Sequence, residues 1–408
     1  MAVTCSDTVV PNHGGVRSDL PGLLSLALAS CLAVTTEMLP VGLLPAISDS
    51  FGVADSTTGL LISLYGVMVA ALAVPLTVAT ARFPRKPLLL TTLLGYTVSS
   101  VLVAASPTFA VLAAGRALGG ATHALFFSLC IGYVPRLVSG PRVGRALVVA
   151  ASGATAGFVL GVPSATSLGT ALGWRTAFWV LAAMAILTLA LVARLLPAVT
   201  NEPPRTPDRQ RRGRIELAAV VSSNAATFLG QFTLYTFVSL LFLGAGAPSA
   251  LVGPLLLLCG VCGLAGLTYA AKALDRHPRR TAVVTLAIVI LAILALGAGM
   301  PQLVPVVAAA AVWNGAFGGV PSIYQASAVH TGAASPEVAG AWVNATANVG
   351  IAGGAAIGAG LLPVIGIGGL PWVAAALVGV GLAIAALSRR AFPTRPDRHV
   401  ENPGAAPS

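Results

Sequence analysis

Glu37, Arg116 and His123 stand where ionisable side chains are costly, inside long apolar runs. Insertion scales put an acid or base at the centre of a membrane helix at about 2.5–3.5 kcal/mol. Glu37 is the only carboxylate within any such run, in Thr36-Glu37-Met38-Leu39-Pro40-Val41-Gly42. A low-dielectric site disfavours the charged carboxylate, so a carboxyl there can load and release a proton in the cellular pH range. The alternative is a carboxylate that locks its helix to a neighbour or faces a wet cavity. Arg116 is the only basic residue well inside an apolar run. Its charge must be met by a carboxylate, by carbonyls or by water, unless it snorkels to the interface. His123 follows seven residues on, on the same helical face. It can relay protons, or be a satisfied core histidine.

The elements that position these groups must be membrane helices. The 408 residues are 56% hydrophobic and only 9% charged, against about 25% charge in soluble domains. The net charge of +11 does not point to nucleic acid, because the basic residues gather in alternate loops. They form clusters at Arg82, Arg85 and Lys86, at Arg136 to Arg145, at Arg205 to Arg214, at Lys272 to Arg280 and at Arg389 to Arg398. This asymmetry predicts cytoplasmic termini. Cys259 and Cys262 have the spacing of a redox or metal pair. With no acid or histidine nearby, they read as small packing residues.

A span needs roughly 20 apolar residues, and twelve fit: about 21–47, 57–81, 87–105, 108–134, 143–168, 174–196, 215–243, 250–271, 281–299, 303–329, 337–361 and 371–388. The chain also repeats. Ala81-Arg82-Phe83-Pro84-Arg85-Lys86 recurs 194 residues later as Asp275-Arg276-His277-Pro278-Arg279-Arg280. Gly153, Gly157 and Gly161 recur 197 residues later as Gly350, Gly354 and Gly358. Glycines spaced in fours let two helix backbones approach closely. The expected organisation is a tail over 1–20, a six-helix bundle over 21–196, a basic cytoplasmic linker over 197–214, a second bundle over 215–390 and a tail over 391–408. Gln231, 194 residues after Glu37, is its neutral counterpart.

Two six-helix halves with these motifs resemble the major facilitator superfamily. Arg82, Arg85 and Lys86 match its loop 2–3 signature, although Ala81 replaces the acid, which the second half restores as Asp275. Thr36 to Pro45 and Arg116-Ala-Leu-Gly-Gly-Ala-Thr-His123 resemble the arabinose-efflux-permease-like branch, near the twelve-span drug:proton antiporters. So does Gly157 to Gly161-Val162-Pro163, with one residue inserted before the proline.

The resemblance implies an all-α protein of two pseudo-symmetric bundles, transporting by alternating access. It implies coupling to protons through Glu37, Arg116 and His123, and export of a drug-like amphiphile or a sugar. Gln231, Tyr235, Asn314, Asn344, Asn348 and Phe126 are the candidate cavity residues. The gating candidates are Arg82, Arg85, Lys86, Asp275, Arg276, Arg279 and Arg280, with Gly153, Gly157, Gly161 and Pro163. Asp275 among arginines is a candidate latch between the bundles. An importer on the same fold and a non-transporting receptor are the competing readings. The expected partners are a small molecule, protons and lipid, with a monomer and no nucleic acid. No cofactor or metal is expected, and no phosphate loop or nucleophile constellation indicates an enzyme.

Overall fold

In hydrocarbon every backbone N–H and C=O must be met within the protein, which leaves these apolar runs one option, the helix. The computed structural model describes residues 16–80, 82–137, 149, 152–199, 213–274, 276–334 and 336–392. The first half holds α1 (Val16–Phe51), α2 (Asp55–Ala79), α3 (Arg85–Ala104) and α4 (Phe109–Leu137). A π-helical turn, Gly157–Gly161, then leads into α5 (Val162–Leu172), and α6 (Trp174–Leu195) follows. The second half holds α7 (Arg214–Tyr235), α8 (Val238–Gly244), α9 (Val252–Leu274), α10 (Pro278–Gly299), α11 (Leu303–Phe317), α12 (Val320–His330) and α13 (Pro336–Leu387).

Among the described residues, ten helices are long and apolar enough to cross a membrane. The 52 residues of α13 would reach about 78 Å at 1.5 Å per residue, far beyond a hydrocarbon core of about 30 Å. It bends at Gly366, where φ is 66° and ψ is 176°, so it supplies two spans. The expected fifth span is the helix broken by the π turn, and its residues 143–148 lie outside the described residues.

Three expected boundaries change. The span expected at 215–243 breaks after Tyr235, where the Thr236 hydroxyl bonds back to the Phe232 carbonyl at 2.6 Å and loosens the helix. The span expected at 303–329 breaks at Gly318 and Gly319, just before Pro321. α1 begins at Val16, ahead of the expected Pro21. The linker expected at 197–214 and the tail expected at 391–408 fall largely outside the described residues.

Each half has its own apolar core. One is drawn from residues 23–196; the other runs from Val220 to Phe392 and also takes in Met38, Val41, Leu44, Ile62 and Val162 of the first half. The glycine repeat explains how each half closes. Gly153, Gly157 and Gly161 lie against Ala27, Cys31 and Thr35 of α1. Gly350 and Gly354 lie against Ala225, Leu229 and Thr233 of α7, and Gly358 against Thr233 and Phe237. The π turn accommodates the residue inserted before Pro163, since such a turn adds one residue to a helix.

The halves meet toward the end where α1 passes to α2. A Cβ on Gly59 would lie 2.5 Å from the Phe237 ring, one on Gly66 3.1 Å from Ala352, and one on Gly260 2.9 Å from Val159 Cα. The Ser63 hydroxyl donates to the Ala352 carbonyl.

A test contrasts two glycines. A side chain on Gly157 would meet the Cys31 carbonyl oxygen at 2.5 Å, whereas Gly360 is exposed with nothing within 4 Å. Gly157→Leu should lose about 1–3 kcal/mol through overpacking, read as a lower melting temperature in detergent. Gly360→Leu should melt like the wild type. Equal melting of the two would contradict the packing described.

Candidate functional site

The site starts from a missing hydrogen. Pro40 has no N–H, so the Thr36 carbonyl one turn earlier loses its helical donor. Arg116 of α4 supplies the replacement. Its Nη1 donates to Thr36 O at 2.6 Å and its Nη2 to Glu37 O at 2.8 Å. Arg116 is only 1% exposed. Of the three expected ways to meet its charge, the structure uses backbone carbonyls, in charge-assisted bonds that are roughly twice as strong as neutral ones.

Residues 116–123 of α4 form a seat. Arg116 and His123 rise on one face, and Gly119 and Gly120 between them leave room for Tyr65 of α2. A Cβ on Gly120 would lie 2.6 Å from the Tyr65 carbonyl oxygen, and one on Gly119 3.0 Å from its ring. The Arg116 guanidinium stands 4.3 Å over that ring, a cation–π contact. The Tyr65 hydroxyl reaches His123 Nδ1 at 2.9 Å. The other ring nitrogen, Nε2, faces Glu37 Oε2 at 3.7 Å. That distance is an ion-pair contact and too long for a direct hydrogen bond. Phe127 stacks on the imidazole at 4.6 Å. Glu37, Arg116 and His123 are therefore brought together, all buried. Phe126, expected in the cavity, lies instead in the first core against Tyr96 at 5.7 Å.

The second half carries a neutral polar and aromatic wall. Gln231 accepts a hydrogen bond from Trp313 Nε1 at 2.7 Å. Tyr235 meets Trp313 edge-on at 6.1 Å and stacks across the halves on Phe158 at 5.8 Å. Phe228 and Phe232 stack at 6.3 Å beside them. Asn348 donates to the Asn344 carbonyl at 2.9 Å, with Asn344 exposed. Asn314 bonds back to Ala310 at 2.9 Å within α11.

Two of the basic loop residues bind helix ends within their own halves. Lys86 donates to the Ala193 carbonyl in the last turn of α6 at 2.8 Å. Arg279 donates to the Ala386 carbonyl in the last turn of α13 at 2.5 Å. Both place a cation on the negative end of a helix dipole. Arg82 lies over Phe83 at 5.3 Å; Arg276 and Arg280 are exposed. Asp275 lies outside the described residues, and with it the latch. Among the described residues no group of three or more metal-ligating side chains forms, and Cys259 and Cys262 are free thiols. Pro163 opens α5 beside the π turn, and its carbonyl borders Gly253 of α9.

Sequence reasoning passed over Pro40 and Tyr65. A proline four residues after Thr36 signals a freed carbonyl, and the paired glycines between Arg116 and His123 signal a close neighbour.

A bundle of membrane helices with a buried acid, base and histidine in one half and a neutral wall in the other defines a transporter class. The family profile described as Major Facilitator Superfamily matches residues 26–335, and the chain belongs to that family. It is 31% identical to a chloramphenicol efflux pump of Mycobacterium tuberculosis over 399 residues, covering 94% of this chain and 93% of the relative. It is also 31% identical to a chloramphenicol resistance protein of Streptomyces lividans, covering 89% and 95%. A bacterial homologue of the human lysosomal transporter Spinster, solved inward-facing and unoccupied, shares the fold. Its TM-score is 0.76 at 14% identity, covering 93% of this chain and 98% of that one.

Arg116→Lys tests the clamp. A lysine has the charge but lacks the fork that spans two carbonyls. With one charge-assisted bond lost, transport should fall about tenfold to a hundredfold while the protein still inserts. Wild-type transport by the lysine variant would show that the charge alone suffices.

Proposed function

We propose that this secondary transporter exports a small organic amphiphile in exchange for protons. The observation that carries the reading is the Glu37–His123 pair, 3.7 Å apart, beside an Arg116 already engaged on carbonyls. Because the guanidinium grips the backbone, the nearest side-chain partner of the carboxylate is a group that can itself be neutral. Taking up one proton makes the carboxylate and the neutral imidazole a neutral pair, and releasing it restores a negative charge that the buried Arg116 guanidinium beside it offsets.

Proton binding at Glu37 and substrate binding at the neighbouring cavity exclude one another in this reading, which is the minimum an antiporter needs. The aromatic wall of Phe158, Phe228, Phe232, Tyr235 and Trp313 suits a flat apolar body. Gln231, Asn344, Asn348 and Asn314 are positioned to orient its polar groups. Two relatives are named for chloramphenicol, which makes that aromatic amphiphile the first probe.

The basic clusters favour cytoplasmic termini and a cytoplasmic 197–214 linker. The end at which the halves touch then faces outward, and the protein is inward-open. Asp275 and its arginines serve as a gate at the opposite end, and the π turn before Pro163 as the pivot. A monomer contains the whole site.

Orientation is tested by labelling intact cells. Asp55→Cys should react with an impermeant thiol reagent and Arg209→Cys should not. The reverse pattern would overturn the orientation.

The proton site is tested in proteoliposomes with an imposed pH gradient. The wild type should accumulate chloramphenicol uphill. Glu37→Gln should insert normally, lose uphill accumulation and retain downhill exchange, which needs alternating access but no proton release. Undiminished accumulation by the variant would move the proton site elsewhere.

A further inference from the structure

Gln231 is 3% exposed, and only half of its amide is engaged. The indole Nε1 of Trp313 can donate and cannot accept, so the atom it meets at 2.7 Å is the amide oxygen. That fixes which way the amide turns. Its amino nitrogen, Nε2, points away from the indole with two N–H donors and no hydrogen-bond partner among the described residues. Asn224 Oδ1 is also unpartnered but is sealed in the packing; Nε2 is not sealed, and opens onto the space beside the wall. The other two buried amides of that wall are turned differently. Asn314 directs its amino group at the Ala310 carbonyl and Asn348 at the Asn344 carbonyl, both at 2.9 Å. Gln231 alone of the three keeps its amino group off the protein.

Unmet donors at this depth cost free energy unless a ligand meets them. The ligand group that does so must accept hydrogen bonds, since an ammonium or amino group would set donor against donor. Phe228 and Tyr235 lie three residues before and four residues after Gln231, on the same face of α7. Phe232 meets Tyr235 edge-on at 5.8 Å, and Tyr235 meets Trp313 at 6.1 Å. An acceptor that reaches Nε2 therefore arrives between aromatic faces, on the edge of a flat ring. None of these residues is basic, so an aryl carboxylate would carry its charge in without a counter-ion. The chemistry left is a neutral acceptor on an aromatic ring, a nitro group or a ring carbonyl.

We propose that the Gln231 amide is the specificity-determining donor of the cavity, selecting neutral aromatic solutes that carry a nitro or carbonyl acceptor on the ring. This rests on the reading of that wall as the solute site. Trp313 is the positioning residue. Its indole N–H holds the amide oxygen and so keeps the donors facing the solute. Without that N–H the amide is free to turn and offer its oxygen to a donor instead. The site then discriminates by polarity, which aromatic faces alone do not. The selection needs no proton at Glu37, so it is read without a pH gradient.

Chloramphenicol and two analogues supply the test, one with hydrogen and one with an amino group in place of the ring nitro group. Downhill uptake into proteoliposomes gives KM for each compound in one protein, so the ratios do not depend on how much protein inserts. In the wild type KM should be about tenfold lower for the nitro compound than for the hydrogen analogue, the weight of one buried hydrogen bond, and highest for the amino analogue. Gln231→Met is close in volume and has no donor. It should bring the nitro and hydrogen compounds to within about twofold of each other. Trp313→Phe keeps an aromatic ring and removes the N–H. It should narrow the gap between the nitro and amino compounds about tenfold, whereas a merely structural role would weaken all three alike. If Gln231→Met carries no compound, the Trp313→Phe ratio decides. A wild type that carries none of the three overturns the solute-site reading, and this inference with it. A wild type that carries all three without preferring the nitro compound, or a nitro preference unchanged in the variants, overturns the role of Gln231 alone.

Discussion

The grip of Arg116 on the Thr36 carbonyl that Pro40 frees, and on the Glu37 carbonyl next to it, is the interaction on which the first half depends. A proline within a membrane helix leaves an unmet acceptor, and an arginine in a neighbouring helix leaves unmet donors. Either alone is costly in hydrocarbon. Together two guanidinium nitrogens meet two carbonyls, at 2.6 and 2.8 Å, while Arg116 Nε is left without a partner among the described residues, and the contact fixes α4 against the middle of α1. Their pairing also decides what Glu37 faces. Had Arg116 taken the carboxylate, the acid would be held permanently ionised. With the guanidinium on the backbone, the carboxylate faces His123 at 3.7 Å, the pair to which we assign the coupled proton.

The two halves share one packing plan and differ in chemistry. Gly153, Gly157 and Gly161 seat one helix on α1, and Gly350, Gly354 and Gly358 seat its counterpart on α7 and the turn after it. Lys86 and Arg279 each neutralise the last turn of a helix in their own half. Yet the place of Glu37 is taken in the second half by Gln231, hydrogen-bonded to Trp313. In the proposed mechanism the second half contacts the solute by hydrogen bonds and aromatic faces without competing for the proton. Division of labour between like-folded halves follows from which one carries the charges.

Much of this was legible in the sequence, because a bilayer imposes strong rules. Apolar length marked the spans, and the glycine spacing marked the helix pairs. The cost of burying charge singled out Glu37, Arg116 and His123 before any contact was known. Three things were hidden for physical reasons. Tyr65 carries no charge, so hydropathy treats it as one more apolar residue. The breaks after Tyr235 and at Gly318 depend on local backbone bonding that does not interrupt an apolar run. Phe126 and Phe127 are adjacent, and only the helix rotation decides that Phe127 lies on His123 while Phe126 enters the core. The inserted residue before Pro163 was visible as a mismatch, and its meaning, a π turn, needed the backbone.

The central claim is that Glu37 changes protonation in the folded protein, and infrared spectroscopy reads that without knowledge of the substrate. Reconstituted protein is titrated between neutral and mildly acidic pH, and the carbonyl stretch of protonated carboxyl groups is followed in difference spectra. The account predicts a band from a buried, protonated carboxyl that grows on acidification in the wild type and is missing from Glu37→Gln. The same band in the variant, or a wild type in which no such band titrates, would contradict it.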